Sequence, residues 1–215
     1  KLFGYYKPSL FQMVIRRIEI LYDKLYSLDF LSVIPSDKLG FNDKIVHKGS
    51  PSGDRFLTKV LNRMNIMSED CILDIGCAKG SAIKYMNKFP FKKTDGIDIS
   101  EDLTVIARKN FRILKLNRIE IFNENILKFK KLNNYTFFYL YNPFPLEIMK
   151  IFLRKLKEQI PLDKEIIIIY NNPVCHKQFL IEDFHLIKRF PNKWGTHMFV
   201  YSSSETPKRF LNKSL

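Results

Sequence analysis

The chain has 215 residues, 46% of them hydrophobic, and a net charge of +14. That length holds one sizeable α/β domain with its own core, and no apolar run reaches the roughly 18 residues a membrane span needs. Three cysteines (Cys71, Cys77 and Cys175) are too few and too scattered for a disulfide framework and fit a reduced, cytoplasmic setting. His47, His176, His185 and His197 show no zinc-ligand spacing, so no metal is expected.

Lys1 in first position points to a start further upstream, and Arg16 and Arg17 break the early apolar pattern that a signal peptide requires. Over residues 8–28, Leu10, Val14, Ile18, Leu21, Tyr22 and Leu25 recur at three- and four-residue steps, opposite Arg16, Arg17, Glu19 and Asp23. The spacing predicts an amphipathic helix. Its apolar stripe is expected to pack on the main domain, with a lid or substrate-side role as an alternative and a membrane interface as a third. Residues 29–54 carry Pro35, Gly40, Gly49, Pro51 and Gly53 and read as a long loop, a feature that in compact domains is often functional. Residues 1–54 thus read as a cap or lid on a domain spanning 55–215.

A short helix over 55–64 leads into the first strand, 71–75. Its apolar residues meet an acid, Asp74, and a turn of small residues follows at Gly76, Ala78 and Gly80. A helix over 80–87 comes next, then a strand over 94–99 containing the acid Asp98. Ser100 is placed to cap a helix that runs to 116. Arg108, Lys109, Arg112, Lys115 and Arg118 recur along that helix and its end, more in the manner of a solvated face than of a binding stripe. Strands are expected over 119–123 and 135–141, and a helix over 145–159 with proline at its start. The strand over 165–170 contains four consecutive isoleucines, which suits burial on both faces. Two last strands, 184–190 and 196–202, are joined through Asn192, Lys193, Trp194 and Gly195 as a hairpin. Strands alternating with helices give a doubly wound, mostly parallel seven-stranded α/β sheet, closed by an antiparallel C-terminal hairpin.

The turn after the first strand lets main chain approach a ligand at a helix N-terminus, and an acid about twenty residues on can bind ribose hydroxyls. Two phosphate motifs fail. The dinucleotide pattern G-x-G-x-x-G meets Ala78 and Ser81, and the P-loop lysine is misplaced, because Lys79 precedes Gly80. The pattern present, D-x-G-x-A-x-G, resembles the D/E-x-G-x-G-x-G turn of class I S-adenosylmethionine-dependent methyltransferases, with Ala78 in place of the central glycine. The resemblance covers residues 55–203 and implies S-adenosylmethionine as cofactor. It implies that Gly76, Ala78 and Gly80 contact the methionine part and that Asp74 orders the turn or reaches the amino group. Asp98 would take the ribose hydroxyls, and Ile99 one adenine face. Asn125 and Ile126 would read the adenine edge, with Glu124 as the one-residue alternative.

Asn142, Pro143 and Phe144 follow the fourth strand, where such enzymes keep their substrate-facing motif, and resemble the [DNS]-P-P-[YFW] motif of amine-directed nucleic-acid methyltransferases with the aromatic residue one place early. Tyr170, Asn171 and His176, after the fifth strand, are candidates for the acceptor pocket, with His176 a possible general base for a hydroxyl. Three functions remain open from the sequence. A small-molecule or glycan-type methyltransferase fits the compact chain without an appended recognition domain. A nucleic-acid methyltransferase fits the charge and Asn142–Phe144. A non-catalytic binding module fits Ala78 and Asn125.

Overall fold

The computed structural model describes residues 10–32, 55–191 and 197–211. The expected loop beyond residue 32, His47, and the turn at Asn192–Gly195 lie outside them. The alternation of strands and helices resolves into a single sheet of seven strands: β1 (Cys71–Ile75), β2 (Lys93–Asp98), β3 (Ile121–Asn123), β4 (Phe137–Tyr141), β5 (Ile167–Asn171), β6 (His185–Phe190) and β7 (Met198–Ser202). Their order is β3-β2-β1-β4-β5-β7-β6. The first five are parallel, and β7 runs antiparallel between β5 and β6.

The helices are α1 (Leu10–Leu25), α2 (Arg55–Leu61), α3 (Ser81–Met86), α4 (Glu101–Ile113), α5 (Leu146–Gln159) and α6 (His176–Ile181). The central strands are buried on both faces because alternate residues serve two different cores. Leu73, Ile75, Phe138, Leu140, Ile168 and Tyr170 point to one face, where α5 contributes Met149, Phe152, Leu153 and Leu156. Ile72, Phe137, Tyr139, Ile167 and Ile169 point to the other, under Leu57, Val60 and Leu61 of α2. This is the period of two that the isoleucine run could not display, since every position in it is apolar.

Going outward, the chain runs from β1 through β2 to β3, then returns to lay β4 on the other side of β1. The sheet order therefore reverses between β1 and β4, and in open α/β sheets the ligand crevice opens beyond the carboxyl ends at that point. The tips of β1, β2, β4 and β5 are the residues that matter for function.

Two short elements had no counterpart in the sequence reading. Residues 176–181 form α6, whose six residues, HKQFLI, carry no side-chain cap at Cys175 and are too short to show a period, and a 3₁₀ turn, Leu132–Asn134, precedes β4. One expectation is corrected. The stripe of α1 does not pack on the main domain: Val14, Ile18, Leu21 and Leu25 are exposed. The segment after the helix does the packing instead. Leu28, Phe30 and Leu31 join Ile83, Ala107 and Phe111 in a third buried cluster beside Cys77. The basic residues of α4 and the segment after it, Arg108, Lys109, Arg112, Lys115 and Arg118, are all exposed; Arg108 nonetheless donates to the Ile121 carbonyl and Arg118 to those of Phe91 and Asn87, so these two also brace the fold.

Candidate functional site

The turn after β1 is held by its neighbour strand. Gly76 and Cys77 donate their amides to the Ile97 carbonyl (2.9 and 3.1 Å), and Gly80 donates to Cys77 (2.8 Å). The Ala78 amide donates to Asp98 Oδ2 at 2.8 Å. Gly76, Ala78 and Gly80 all lie in the left-handed region, at φ 74, 46 and 83°. For alanine this conformation costs roughly 1–2 kcal/mol. Ala78→Gly should therefore leave the melting temperature unchanged or raise it slightly, since relief of strain offsets the ~0.4–1 kcal/mol of added chain entropy in the unfolded state. A clear fall in melting temperature would show that Ala78 carries no strain.

Asp74 lies on the face of the sheet it shares with Ile72 and Tyr139, and it is 2% exposed. Among the described residues its Oδ2 has no hydrogen-bond partner. Burial pushes its carboxyl well above the ordinary range, and the nearby Asp98 adds to the rise. A buried acceptor of this kind destabilises the protein until a donor reaches it. At the tip of β2, Asp98 accepts from Ala78 through Oδ2 and from the Ser100 amide through Oδ1 (2.9 Å). Burial raises its carboxyl too, against the lowering effect of those amides. Each carboxylate oxygen keeps a second lone pair for a hydroxyl donor. Ser100 caps α4 by accepting from Leu103 at 3.4 Å. Ile99, beside them, is exposed.

At the tip of β3 the side chains serve the fold first. Asn123 donates to the Ile99 carbonyl at 3.0 Å. The Asn125 amide oxygen accepts from Leu127 at 2.9 Å and so orders its own turn, while Ile126 is buried in the core with Phe129. Glu124 is exposed, and its amide donates to the Asp98 carbonyl.

The tip of β4 meets that of β1: a Cβ built on Gly76 would stand 3.0 Å from Pro143 Cβ. Asn142 is left-handed, at φ 42°, and its Oδ1 accepts from the Tyr170 hydroxyl at 3.1 Å. That hydroxyl accepts in turn from the Cys175 amide at 3.3 Å. Tyr170 thus ties the β4 tip to the start of α6. The Phe144 ring packs on Phe152 of α5, with centroids 5.9 Å apart. His176 Nδ1 is 2.6 Å from the Tyr201 hydroxyl, with the ring edge-on to Phe199. Burial holds its pKa below the ordinary value, with help from Arg189. The structure thus lays His176 on β7.

Asn171, a pocket candidate from the sequence, lies at the tip of β5 and is 7% exposed; it donates to the Tyr139 hydroxyl at 3.2 Å, while its Oδ1 has no partner among the described residues. Two features had little or no sequence signal. Lys79, inside the turn, is 4% exposed and bonds Asp29 at 2.7 Å. Burial would raise the Asp29 carboxyl, but hydrogen bonds from Lys79 and Ser32 outweigh it and hold the pKa below the ordinary value. Asn110 accepts from the Asp29 amide and donates to the carbonyls of Asp29 and Lys79. An asparagine on the apolar side of α4, in line with Leu103, Ala107 and Phe111, was the visible trace of that junction. Among the described residues no cluster of three or more His, Cys, Asp or Glu is placed to hold a metal.

No protein-family model matches the chain, and no curated protein matches its sequence. Solved structures do match its fold. An RNA methyltransferase from Salinibacter ruber, in complex with S-adenosyl-L-homocysteine, aligns with a TM-score of 0.56 over 76% of this chain and 99% of its own, at 15% identity. A ribosomal protein L11 methylase from Lactobacillus delbrueckii subsp. bulgaricus aligns at 0.55 over 71% and 79%, at 14% identity. Geranyl diphosphate C-methyltransferase from Streptomyces coelicolor A3(2) aligns at 0.50 over 69% and 78%, at 9% identity. At such identities the likeness is one of architecture: the chain has the class I methyltransferase fold.

Proposed function

We propose that the chain is an S-adenosylmethionine-dependent methyltransferase acting on a small-molecule or glycan-type acceptor. One observation carries the reading. The β1 tip presents a buried carboxylate oxygen with no partner, next to a left-handed turn of small residues and one strand from a second acid. This donor set fits an adenosyl amino acid: Asp74 is suited to an ammonium, Asp98 to a pair of hydroxyls, and Gly76, Ala78 and Gly80 to close approach of main chain. When bound, S-adenosylmethionine supplies a methyl carbon attached to a sulfonium, so the leaving group is a neutral thioether.

The chain's own task is to bind and align. Asn142 is fixed by Tyr170 at the tip of β4, and Asn171 offers an unused acceptor one strand further on. Both are amides, which orient an N–H or O–H without removing its proton. Orientation of this kind can supply most of the acceleration of a displacement.

The nucleic-acid reading has specific support in the charge of +14 and in Asn142-Pro143-Phe144. It needs Phe144 as a platform for a base, however, and that ring is engaged with Phe152. The small acceptor is therefore preferred. Methyl-transfer assays on sugar nucleotides, RNA and DNA separate the two, and nucleic-acid binding should fall steeply with salt.

Asp74→Asn tests the cofactor assignment. The substitution keeps the shape but removes a carboxyl whose charged form burial disfavours, so the ligand-free variant should gain about 1–2 kcal/mol at pH 7. The sign follows from linkage. The folded-state pKa of Asp74 lies well above its unfolded value of 3.8. The wild type is favoured most where the carboxyl is protonated in both states, and it loses that advantage as pH rises from about 4 through the raised pKa. The gain of the variant should vanish at about pH 4 and grow above it. The thermal shift produced by S-adenosylhomocysteine should shrink. A ligand-free variant less stable than wild type at pH 7, or an undiminished shift, would contradict the assignment.

A further inference from the structure

Among the described residues, the apolar stripe of α1 is a hydrophobic face that the core leaves uncovered. Val14, Ile18, Leu21 and Leu25 are 47, 60, 66 and 75% exposed. At 100° per residue they fall in one arc. Asp23, which is buried and accepts from the Phe30 amide, marks the opposite side of the helix, where it meets the domain. Arg17 and Lys24, both exposed, border the arc on one edge. At the C-terminal end Tyr22 and Tyr26 pair with ring centroids 4.5 Å apart, and both are exposed.

Contiguous exposed apolar surface of this kind normally has an occupant. A second copy would have to bring together two chains that each carry +14. One helix stripe is also small against the roughly 800 Å² per partner of a stable interface. Nucleic acid is held through phosphates and aromatic stacking, which Val14, Ile18, Leu21 and Leu25 cannot provide. An anionic bilayer surface matches all three features: aliphatic side chains for the acyl boundary, tyrosines for the headgroup level, and basic residues for the lipid charge.

We propose that α1 is an interfacial helix that seats the protein on anionic membrane surfaces. With 16 residues it is about 24 Å long, and no helix of the described residues is long and apolar enough to cross a membrane. It lies flat. The residues that follow it, Leu28 to Leu31, are packed beside the turn after β1, and Lys79 in that turn holds Asp29. The seat is therefore joined to the ligand crevice through a short, anchored stretch of chain.

The test is sedimentation of the full chain with vesicles of phosphatidylcholine plus phosphatidylserine, and of phosphatidylcholine alone. Wild type should pellet with the anionic vesicles and much less with the neutral ones. Ile18→Glu combined with Leu21→Glu should lower partitioning at least tenfold. Arg17→Gln or Lys24→Gln should lower it about fivefold each. Circular-dichroism melts matching wild type confirm that the variants fold, since none of these side chains is buried. Failure of wild type to pellet would overturn the proposal. So would full retention of binding by the Ile18/Leu21 variant, which would assign the effect to overall charge. A dimer in light scattering that Leu21→Glu splits, with no vesicle binding, would give the stripe to a second copy; loss of RNA binding in that variant, again without vesicle binding, would give it to nucleic acid.

Discussion

Gly80→Ala should cost about 2–5 kcal/mol of stability, the largest loss from adding a single carbon anywhere in the turn. Two effects combine. Gly80 sits at φ +83°, where an L side chain is strained by roughly 1–2 kcal/mol. The new Cβ would also stand 2.3 Å from Phe111 Cζ. A ring tip can often swing aside, but Phe111 is 4% exposed and enclosed by Leu28, Phe30, Ile83 and Ala107. Overpacking of such a site costs about 1–3 kcal/mol. In a chain of this size each kcal/mol lowers the melting temperature by roughly 2–4 °C, so a fall on the order of 10 °C is expected. Adding Phe111→Leu should restore part of it, because the two residues share one space. Gly76→Ala meets only Pro143 Cβ, at 3.0 Å, and should cost less. A Gly80→Ala melt within about 2 °C of wild type would show that the turn and α4 are not in this contact.

Asp98→Ala should do two separable things. It deprives the Ala78 and Ser100 amides of their acceptor, which should lower ligand-free stability by about 2 kcal/mol, because charge-assisted hydrogen bonds exceed neutral ones. It should also remove S-adenosylhomocysteine binding by about a hundredfold, since two hydroxyl donors would lose a charged acceptor. Asp98→Asn separates the effects. It keeps one amide bond and the shape, so most of the stability should return while affinity stays low. Calorimetric titration and thermal melts on the three proteins check both. Wild-type affinity in Asp98→Ala would place the ribose elsewhere.

Much of this was legible before the fold was known. Every residue of Cys71–Ile75 is buried because β2 and β4 pair on its two sides, and four of the five are apolar as such a position demands, Asp74 being the exception. Ser100 as cap, Pro145 at a helix start and the acid at the end of the second strand are local signals that tertiary structure left in place. What was not legible concerns partners. Periodicity in α1 says which side chains share a face but not what that face meets, and it meets no core. Asn142 and Asn125 are polar residues at strand tips, but only the fold shows their oxygens engaged by Tyr170 and Leu127. Lys79 gives no hint in the sequence that its ammonium is buried against a residue fifty positions earlier. The orphaned acceptors Asp74 Oδ2 and Asn171 Oδ1 are likewise visible only once the strands are assembled.

The most direct measurement is a crystal structure of the chain grown with S-adenosylhomocysteine. The ligand is expected beyond the tips of β1 and β2, with its amino group on Asp74 and its ribose on Asp98. A crevice that stays vacant at saturating ligand, or density for the molecule anywhere else on the surface, would contradict it.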